Sequence, residues 1–498
     1  MIPGPERAIL KSRAGCFKER PLLYRDCREW IERVREFGEL QTVEGADWNL
    51  EIGAITEVAA RSEKSPAILF DKIKDYPPGQ RILVGIHKPT LKRQCLTNHL
   101  PLDYNRNQFI QAWRERLNHP CLIPPRVVDS GPLLENVFEG KDIDLFSLPV
   151  PHWHEQDGGR YLGTADVTIT RDPDDGWINL GCYRVMVHDR DSLALYISPG
   201  HHGNIHRQKY FDRGKPLPVA ISFGPDPLLW QVSTMDLPWG SSEYDYAGGI
   251  RGEPFEVILG EHTGLPIPAY SEVAIEGEVV PGNLIKEGPF GEFTGYYASG
   301  ERTEPILKVK RLMYRNDPII TGAPPFRPPP GADVSLIRSA FIWDYMEKAG
   351  VPDVKGVACY QNKFFIVTAI KQRYPGHAKQ AGMIASQCQA SALLTRYVMV
   401  VDDDIDIWNI DDILWALCSR VDPVKEIDLT RRCWSNPLDP IIPRQERGFN
   451  SRAIIDACRP FEWIGDFPKV SGASRELKER VLKKYGGYFS PKGTGGER

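Results

Sequence analysis

The segment EGPFGEFTGYY, residues 287–297, sets Glu287 and Glu292 on either side of Gly-Pro-Phe-Gly. Proline fixes φ and glycine opens the left-handed region, so this stretch reads as a tight turn rather than a helix. Two carboxyls at one turn push one pKa upward, which keeps a proton donor available near neutrality. Such a pair needs an arginine to hold the other carboxylate ionised. The competing reading is two exposed acids flanking a β-turn. WINLGCYRVMV (177–187) offers an arginine. Read as one strand, it turns Asn179, Gly181 and Tyr183 to one face and Leu180, Cys182 and Arg184 to the other. An arginine among Leu, Val and Met is costly to bury unpaired, so Arg184 needs an acid, in a rim salt bridge or in a catalytic role. SPGHHGNIHR (198–207) carries His201, His202 and His206. They are candidate metal ligands or plain hydrogen-bonding groups, with no spacing that fixes zinc. His152 and His154 read as local hydrogen bonding. VVDDDIDIW (400–408) could suggest Mg²⁺, but alternating Asp and Ile is strand amphipathicity, and turn chemistry at a strand end is favoured.

These residues need elements to position them. Residues 1–20 are unpatterned, and DCREWIERVREFGEL follows with Trp30, Ile31, Val34 and Phe37 at helical spacing, an Asp26 cap and a Gly38 stop. An α/β lobe is expected over 21–125. From 126 to 320, short β-branched runs alternate with Gly/Pro/Asp turns, the texture of an antiparallel barrel or sandwich. A proline-rich boundary leads into a helix over 332–350, within a linker assigned to 321–350. Strands and helices then alternate over 351–470 (helices at 376–393 and 411–419), as in an open α/β sheet. A charged helix, read as a solvated face, and a loose end occupy 471–498. The fold class is therefore multidomain, α+β with α/β parts.

The 498 residues carry 62 Lys+Arg and 66 Asp+Glu, a balance of −4, which argues against a general nucleic-acid binder. No run is long and apolar enough for a membrane span, and no secretory h-region is seen. The 10 cysteines show no CxxC spacing, so neither a disulfide framework nor a zinc site is indicated, and a cytoplasmic location is expected. The 44 glycines and 42 prolines cluster, as in a chain rich in shaped turns.

Asn179…Arg184, His201/His202, Ser233-Thr234-Met235, Ser242-Glu243 and Glu287…Glu292 follow one another in an order that resembles the UbiD family of reversible decarboxylases. The likeness extends to Asp26–Leu40, GHAKQA (376–381) and VDDDIDI (401–407). It implies a split β-barrel that binds prenylated FMN, with a C-terminal domain that forms homodimers or larger homo-oligomers. It places Asn179, Cys182, Tyr183, Arg184, His201, His202, Ser233, Thr234, Met235, Glu243 and Arg396 around the cofactor. Asn179, a loop histidine (His202 by ungapped spacing, His201 with a one-residue gap) and Glu243 would hold Mn²⁺ or Mg²⁺. Trp177, Ser233, Met235 and Glu243 would hold K⁺. Arg396 stands where relatives usually carry a lysine that meets the cofactor phosphate. Arg184, Glu287 and Glu292 would form a Glu-Arg-Glu network, with Glu292 as general acid, Arg184 orienting the substrate carboxylate bidentately and Glu287 holding Arg184. The implied substrate is a small aromatic, heteroaromatic or α,β-unsaturated acid that loses CO₂, with a flavin prenyltransferase as cofactor source. The alternatives are an FMN reductase, which the absence of a GxGxxG fingerprint weakens, and a catalytically silent cofactor-binding or assembly protein. The rings of Phe290, Tyr296 and Tyr297 suit a flat substrate or core packing equally.

Overall fold

The computed structural model describes residues 22–62, 64–86, 90–235, 237–327, 335–436, 438–446 and 448–488. The expected lead-in over 1–20 and the loose end from 489 lie outside them. Helix Cys27–Glu36 starts as expected, with the Asp26 carboxylate accepting the Glu29 amide N–H at 3.0 Å and Trp30, Ile31 and Val34 buried. It belongs to a lobe built on a four-stranded mixed sheet, in the order Leu40–Glu44, Ala67–Asp71, Arg81–Val84 and Ile319–Gly322. The last strand pairs in parallel with Arg81–Val84. A boundary drawn at 320 thus runs through a strand of the N-terminal sheet, because this strand's hydrogen-bond partners lie far away in sequence.

The middle of the chain forms a nine-stranded sheet in which every pairing is antiparallel. Its two longest strands, Val273–Glu287 and Arg302–Tyr314, run together from the pair Val273–Tyr314 to the pair Glu287–Arg302. Register shifts at Glu276/Gly277 and Val279/Leu284 interrupt that ladder, and such irregularities bend and twist a strand, curling the sheet into a half-barrel. The alternation of strand Leu217–Phe223 decides its two faces. Val219, Ile221 and Phe223 join an apolar cluster with Leu193, Ile275 and Leu307, while Ala220 faces a second cluster with Trp113, Leu228 and Trp343. Each large aliphatic side chain fully buried here contributes about 1.5–3 kcal/mol. Helix Leu336–Lys348 supplies Trp343 and joins the half-barrel to the C-terminal unit; the start of the expected helix, up to 334, lies outside the described residues.

The C-terminal sheet runs Val354–Tyr360, Phe365–Ile370, Tyr397–Asp402, Phe449–Ala457, Ile427–Trp434, with its three inner strands parallel. The helix expected over 376–393 is broken, forming His377–Gln387 and Gln389–Ala392 around an extended Cys388. The buried Arg452 guanidinium donates to the carbonyls of Ser386 and Ala392 at this break. The acids of VVDDDIDIW are charge-paired: Asp402 meets Arg420 and Arg459, and Asp404 meets Arg420. Helix Arg475–Tyr485 lies exposed, as its charge pattern suggested. Among the described residues eight cysteines are free, and Cys121, against expectation, is disulfide-bonded. Among the described residues, no helix is long and apolar enough to cross a membrane.

Candidate active site

The turn at 287–297 starts where the strand Val273–Glu287 ends, so Glu287 sits on a rigid element and Glu292 on the loop beyond it. The loop folds back through Gly295 N–H to Glu292 O at 2.8 Å and Glu292 N–H to Tyr296 O at 2.9 Å. Gly288, at φ 80°, opens the turn. The backbone comes close on its far side as well: a Cβ on Gly158 would lie 2.0 Å from the Gly288 carbonyl oxygen. Glu287 is 0% exposed and Glu292 8%, which overturns the reading of two solvated acids beside a turn.

Both glutamates meet Arg184. Its Nε and Nη2 donate to the two oxygens of Glu287 at 2.8 Å each, and its Nη1 donates to Glu292 Oε1 at 2.7 Å. Arg184 does not lie within a strand. The strand Ile178–Gly181 stops before Cys182, and the next begins at Val185, so the alternating faces drawn for 177–187 hold only to Gly181. The extended link over 182–184 frees Arg184 to reach across to the turn. Of a guanidinium's five N–H donors three are taken, leaving one on each Nη nitrogen. Burial opposes the charge of Arg184, but Glu287 and Glu292 together outweigh it and raise its pKa. Burial pushes the Glu292 carboxyl above the usual carboxylate range, against the pull of Arg184 and the Ser299 hydroxyl.

Four partners escaped sequence reading. Tyr161 OH donates to Glu287 Oε1 at 3.0 Å, and Ser299 Oγ donates to Glu292 Oε1 at 2.8 Å. Arg302 Nε lies 3.7 Å from Glu287 Oε2, and the Tyr196 ring faces both Arg184 and Arg302. A hairpin reading of the two acid-and-base stems, Lys286-Glu287 and Glu301-Arg302, could have found the third. The Phe290 ring packs against Tyr161 at 4.1 Å, Tyr297 OH donates to Asp157 at 2.9 Å, and Tyr296 is exposed.

A second cluster forms around the strand Ile178–Gly181. Glu243 opens helix Glu243–Arg251, is 2% exposed, and accepts the Leu180 amide N–H at 2.9 Å. Burial pushes its carboxyl up to about 7. Among the described residues no lysine or arginine forms an ion pair with it. Asn179 is buried beside Thr170, at 3.5 Å. His202 begins helix His202–Phe211, its ring edge-on to Trp177 at 5.0 Å, whereas the His201 ring meets Tyr183. His206 is structural, its Nδ1 3.0 Å from Thr170 Oγ1. The Ser233 hydroxyl donates to Trp230 O and the Thr234 hydroxyl to Gln231 O, so both protons are used within the turn that ends helix Pro227–Ser233. Met235 packs partly buried against the core. Cys182 Sγ accepts from Trp230 Nε1 at 3.4 Å, and burial raises its thiol pKa beyond nucleophilic use. Arg396, the expected phosphate contact, is held by both oxygens of Asp439 at 2.6 and 2.7 Å. His152 hydrogen-bonds locally to the Asp157 carbonyl, as expected, and also meets the Asn49 side chain, which is distant in sequence. Among the described residues no group of three His, Cys, Asp or Glu forms a metal cluster.

Comparison with known proteins gives a consistent picture. Three models of UbiD, 3-octaprenyl-4-hydroxybenzoate carboxy-lyase, match in order: the N-terminal domain at 31–96, the Rift-related domain at 126–328 and the C-terminal domain at 334–457. A pyrrole-2-carboxylic acid decarboxylase from Pseudomonas aeruginosa is 30% identical over 488 residues, covering 93% of this chain and 98% of the relative. A phenolic acid decarboxylase from Sedimentibacter hydroxybenzoicus is 32% identical over 454 residues, covering 88% and 92%. The UbiD-class enzyme HmfF from Pelotomaculum thermopropionicum, solved with FMN, superposes with a TM-score of 0.80 at 26% identity, covering 92% of this chain and 100% of that one.

Proposed function

Because the chain belongs to the UbiD family of carboxy-lyases, we propose that it is a reversible decarboxylase of an aromatic, heteroaromatic or α,β-unsaturated acid that works with prenylated FMN. The observation that carries the reading is the buried cluster in which Arg184 is bonded to both Glu287 and Glu292. Loss of CO₂ from an sp² carbon leaves an electron pair that no ordinary side chain absorbs. The bound prenylated flavin supplies the electron sink for that pair. The chain's own residues do the rest. The N–H groups left on the two Nη nitrogens of Arg184 meet the substrate carboxylate, while Glu287 fixes the guanidinium plane from its opposite edge. Burial raises the Glu292 pKa and so favours its protonated form, the donor of the proton to the carbon that CO₂ has left. In the reverse direction it takes that proton back.

The cation cluster fits the phosphate end of such a cofactor. Asn179, His202 and Glu243 would hold Mn²⁺ or Mg²⁺, an amide, imidazole and carboxylate set suited to these ions. Main-chain oxygens of Trp177, Ser233 and Met235, with Glu243, would take K⁺. In this reading the half-barrel is the split-barrel flavin domain, helix Leu336–Lys348 the link, and the C-terminal sheet the homodimer unit of a cytoplasmic enzyme supplied by a flavin prenyltransferase.

The chain co-expressed with such a prenyltransferase is expected to exchange ring or vinyl hydrogen for deuterium in D₂O across a panel of candidate product arenes and alkenes. No exchange and no CO₂ release with any member, from protein carrying the cofactor, would sink the reading. Glu243→Gln is expected to lose Mn²⁺ by elemental analysis, while its melting temperature stays near that of the parent.

A further inference from the structure

The two glutamates share Arg184 unequally, and the inequality continues behind Glu287. Strand pairing places Arg302 directly opposite Glu287 across the two long strands. Arg302 Nε lies 3.7 Å from Glu287 Oε2, and its guanidinium sits 3.9 Å from the Tyr196 ring centre. That ring also faces Arg184, at 4.7 Å, so one tyrosine spaces two cations around one carboxylate. Among the described residues Glu287 is the carboxylate that Arg302 meets within ion-pair distance. Glu287 thus has two oxygens bonded to Arg184, a hydroxyl from Tyr161 and a second cation, whereas Glu292 has a single Arg184 N–H and Ser299. The remaining charges nearby are Glu304, on the strand of Arg302, and its partner Arg207, at 3.3 Å, from helix His202–Phe211. They offset one another.

We propose that Arg302 is a positioning residue that pins the negative charge on Glu287, so that the proton of the network stays on Glu292. The proposal rests on the decarboxylase reading for its catalytic meaning, but the location of the proton can be measured without turnover. A cation a few ångströms from a carboxylate lowers its pKa by about 1–3 units. The Arg302 charge also reaches Glu292 and Glu304, but Glu287 is the carboxylate within ion-pair distance of it, so without Arg302 it is Glu287 that begins to compete with Glu292 for the proton.

Infrared pH titration of the full chain, read in the protonated-carboxyl C=O region, tests this directly. Arg302→Gln is expected to keep protonated carboxyl up to higher pH than wild type does, and the extra band should vanish when Glu287→Gln is added. Arg302→Lys, which keeps the charge, should titrate like wild type. In turnover, the acid limb of the pH–rate profile should move up by about 1–3 units in Arg302→Gln, more than the alkaline limb, and return in Arg302→Lys. A merely structural arginine would lower the rate without moving the limb. The proposal is overturned by an Arg302→Gln spectrum identical to wild type, by a gained band that survives Glu287→Gln, or by a limb that stays in place. If Arg302→Gln fails to fold, a displaced titration in Arg302→Lys overturns it and an unchanged one supports it. Absence of turnover in wild type would count against the decarboxylase alone, since the infrared result still decides where the proton sits.

Discussion

Replacing Glu292 with glutamine lowers hydrogen–deuterium exchange into product by roughly 10²–10⁴-fold, the usual contribution of a positioned acid. Glutamine fills the same volume, and its amide oxygen can still accept from Ser299 and Arg184, which now hold the carboxylate oxygen at 2.8 and 2.7 Å. Fold and cofactor content should therefore remain near wild type, separating chemistry from stability. The pH dependence carries a sign as well. The Glu292 pKa is raised by burial, and the protonated form does the work, so the wild-type rate falls as pH rises through that pKa. Glutamine has no proton to lose, and this alkaline limb should disappear from the residual rate. A variant within threefold of wild type would remove Glu292 from the mechanism.

Arg184→Met has the largest expected effect on stability. It leaves Glu287, fully buried, and Glu292, nearly so, without their shared cation, and only Arg302 at 3.7 Å remains close to Glu287. Breaking a buried pair in this way costs about 3–5 kcal/mol. The cost depends on pH in a predictable direction. Without Arg184 the folded carboxyls bind protons more tightly than the unfolded chain does, so stability falls as pH rises through their raised values. The denaturation deficit against wild type should be larger at pH 8 than at pH 5, and an equal deficit at both would show that the loss is packing rather than charge. Arg184→Lys restores the charge without the planar fork, so it should recover stability better than rate.

How far the sequence foretells this site depends on the range over which each contact acts. The turn of Glu287 and Glu292 was legible because glycine and proline encode it locally. Arg184 was legible as a buried cation needing acids, but its strand was drawn too long, since periodicity does not reveal where hydrogen-bond pairing stops. Tyr161 and Tyr196 were not legible, and Arg302 only through the paired acid-and-base stems. Tyr161 reaches the network through a strand pairing, and Tyr196 from just beyond the end of a strand, and both placements follow from the folded sheet rather than from neighbouring residues. Ser299 is closer in sequence, yet only the course of the loop brings its hydroxyl to Glu292. The helix over 376–393 read well by composition and is interrupted because Arg452, from a distant strand, needs the carbonyls at the break.

The strand Ile319–Gly322 completes the N-terminal sheet from the far end of the half-barrel sequence. During synthesis the N-terminal lobe consequently emerges from the ribosome with the edge of Arg81–Val84 unpaired, and it stays so until the whole half-barrel has been translated. At roughly 5–20 residues per second that interval lasts tens of seconds. An open strand edge invites pairing with other nascent chains. The lobe and the half-barrel must therefore be produced together, and expression fragments ending before Gly322 should be the aggregation-prone ones.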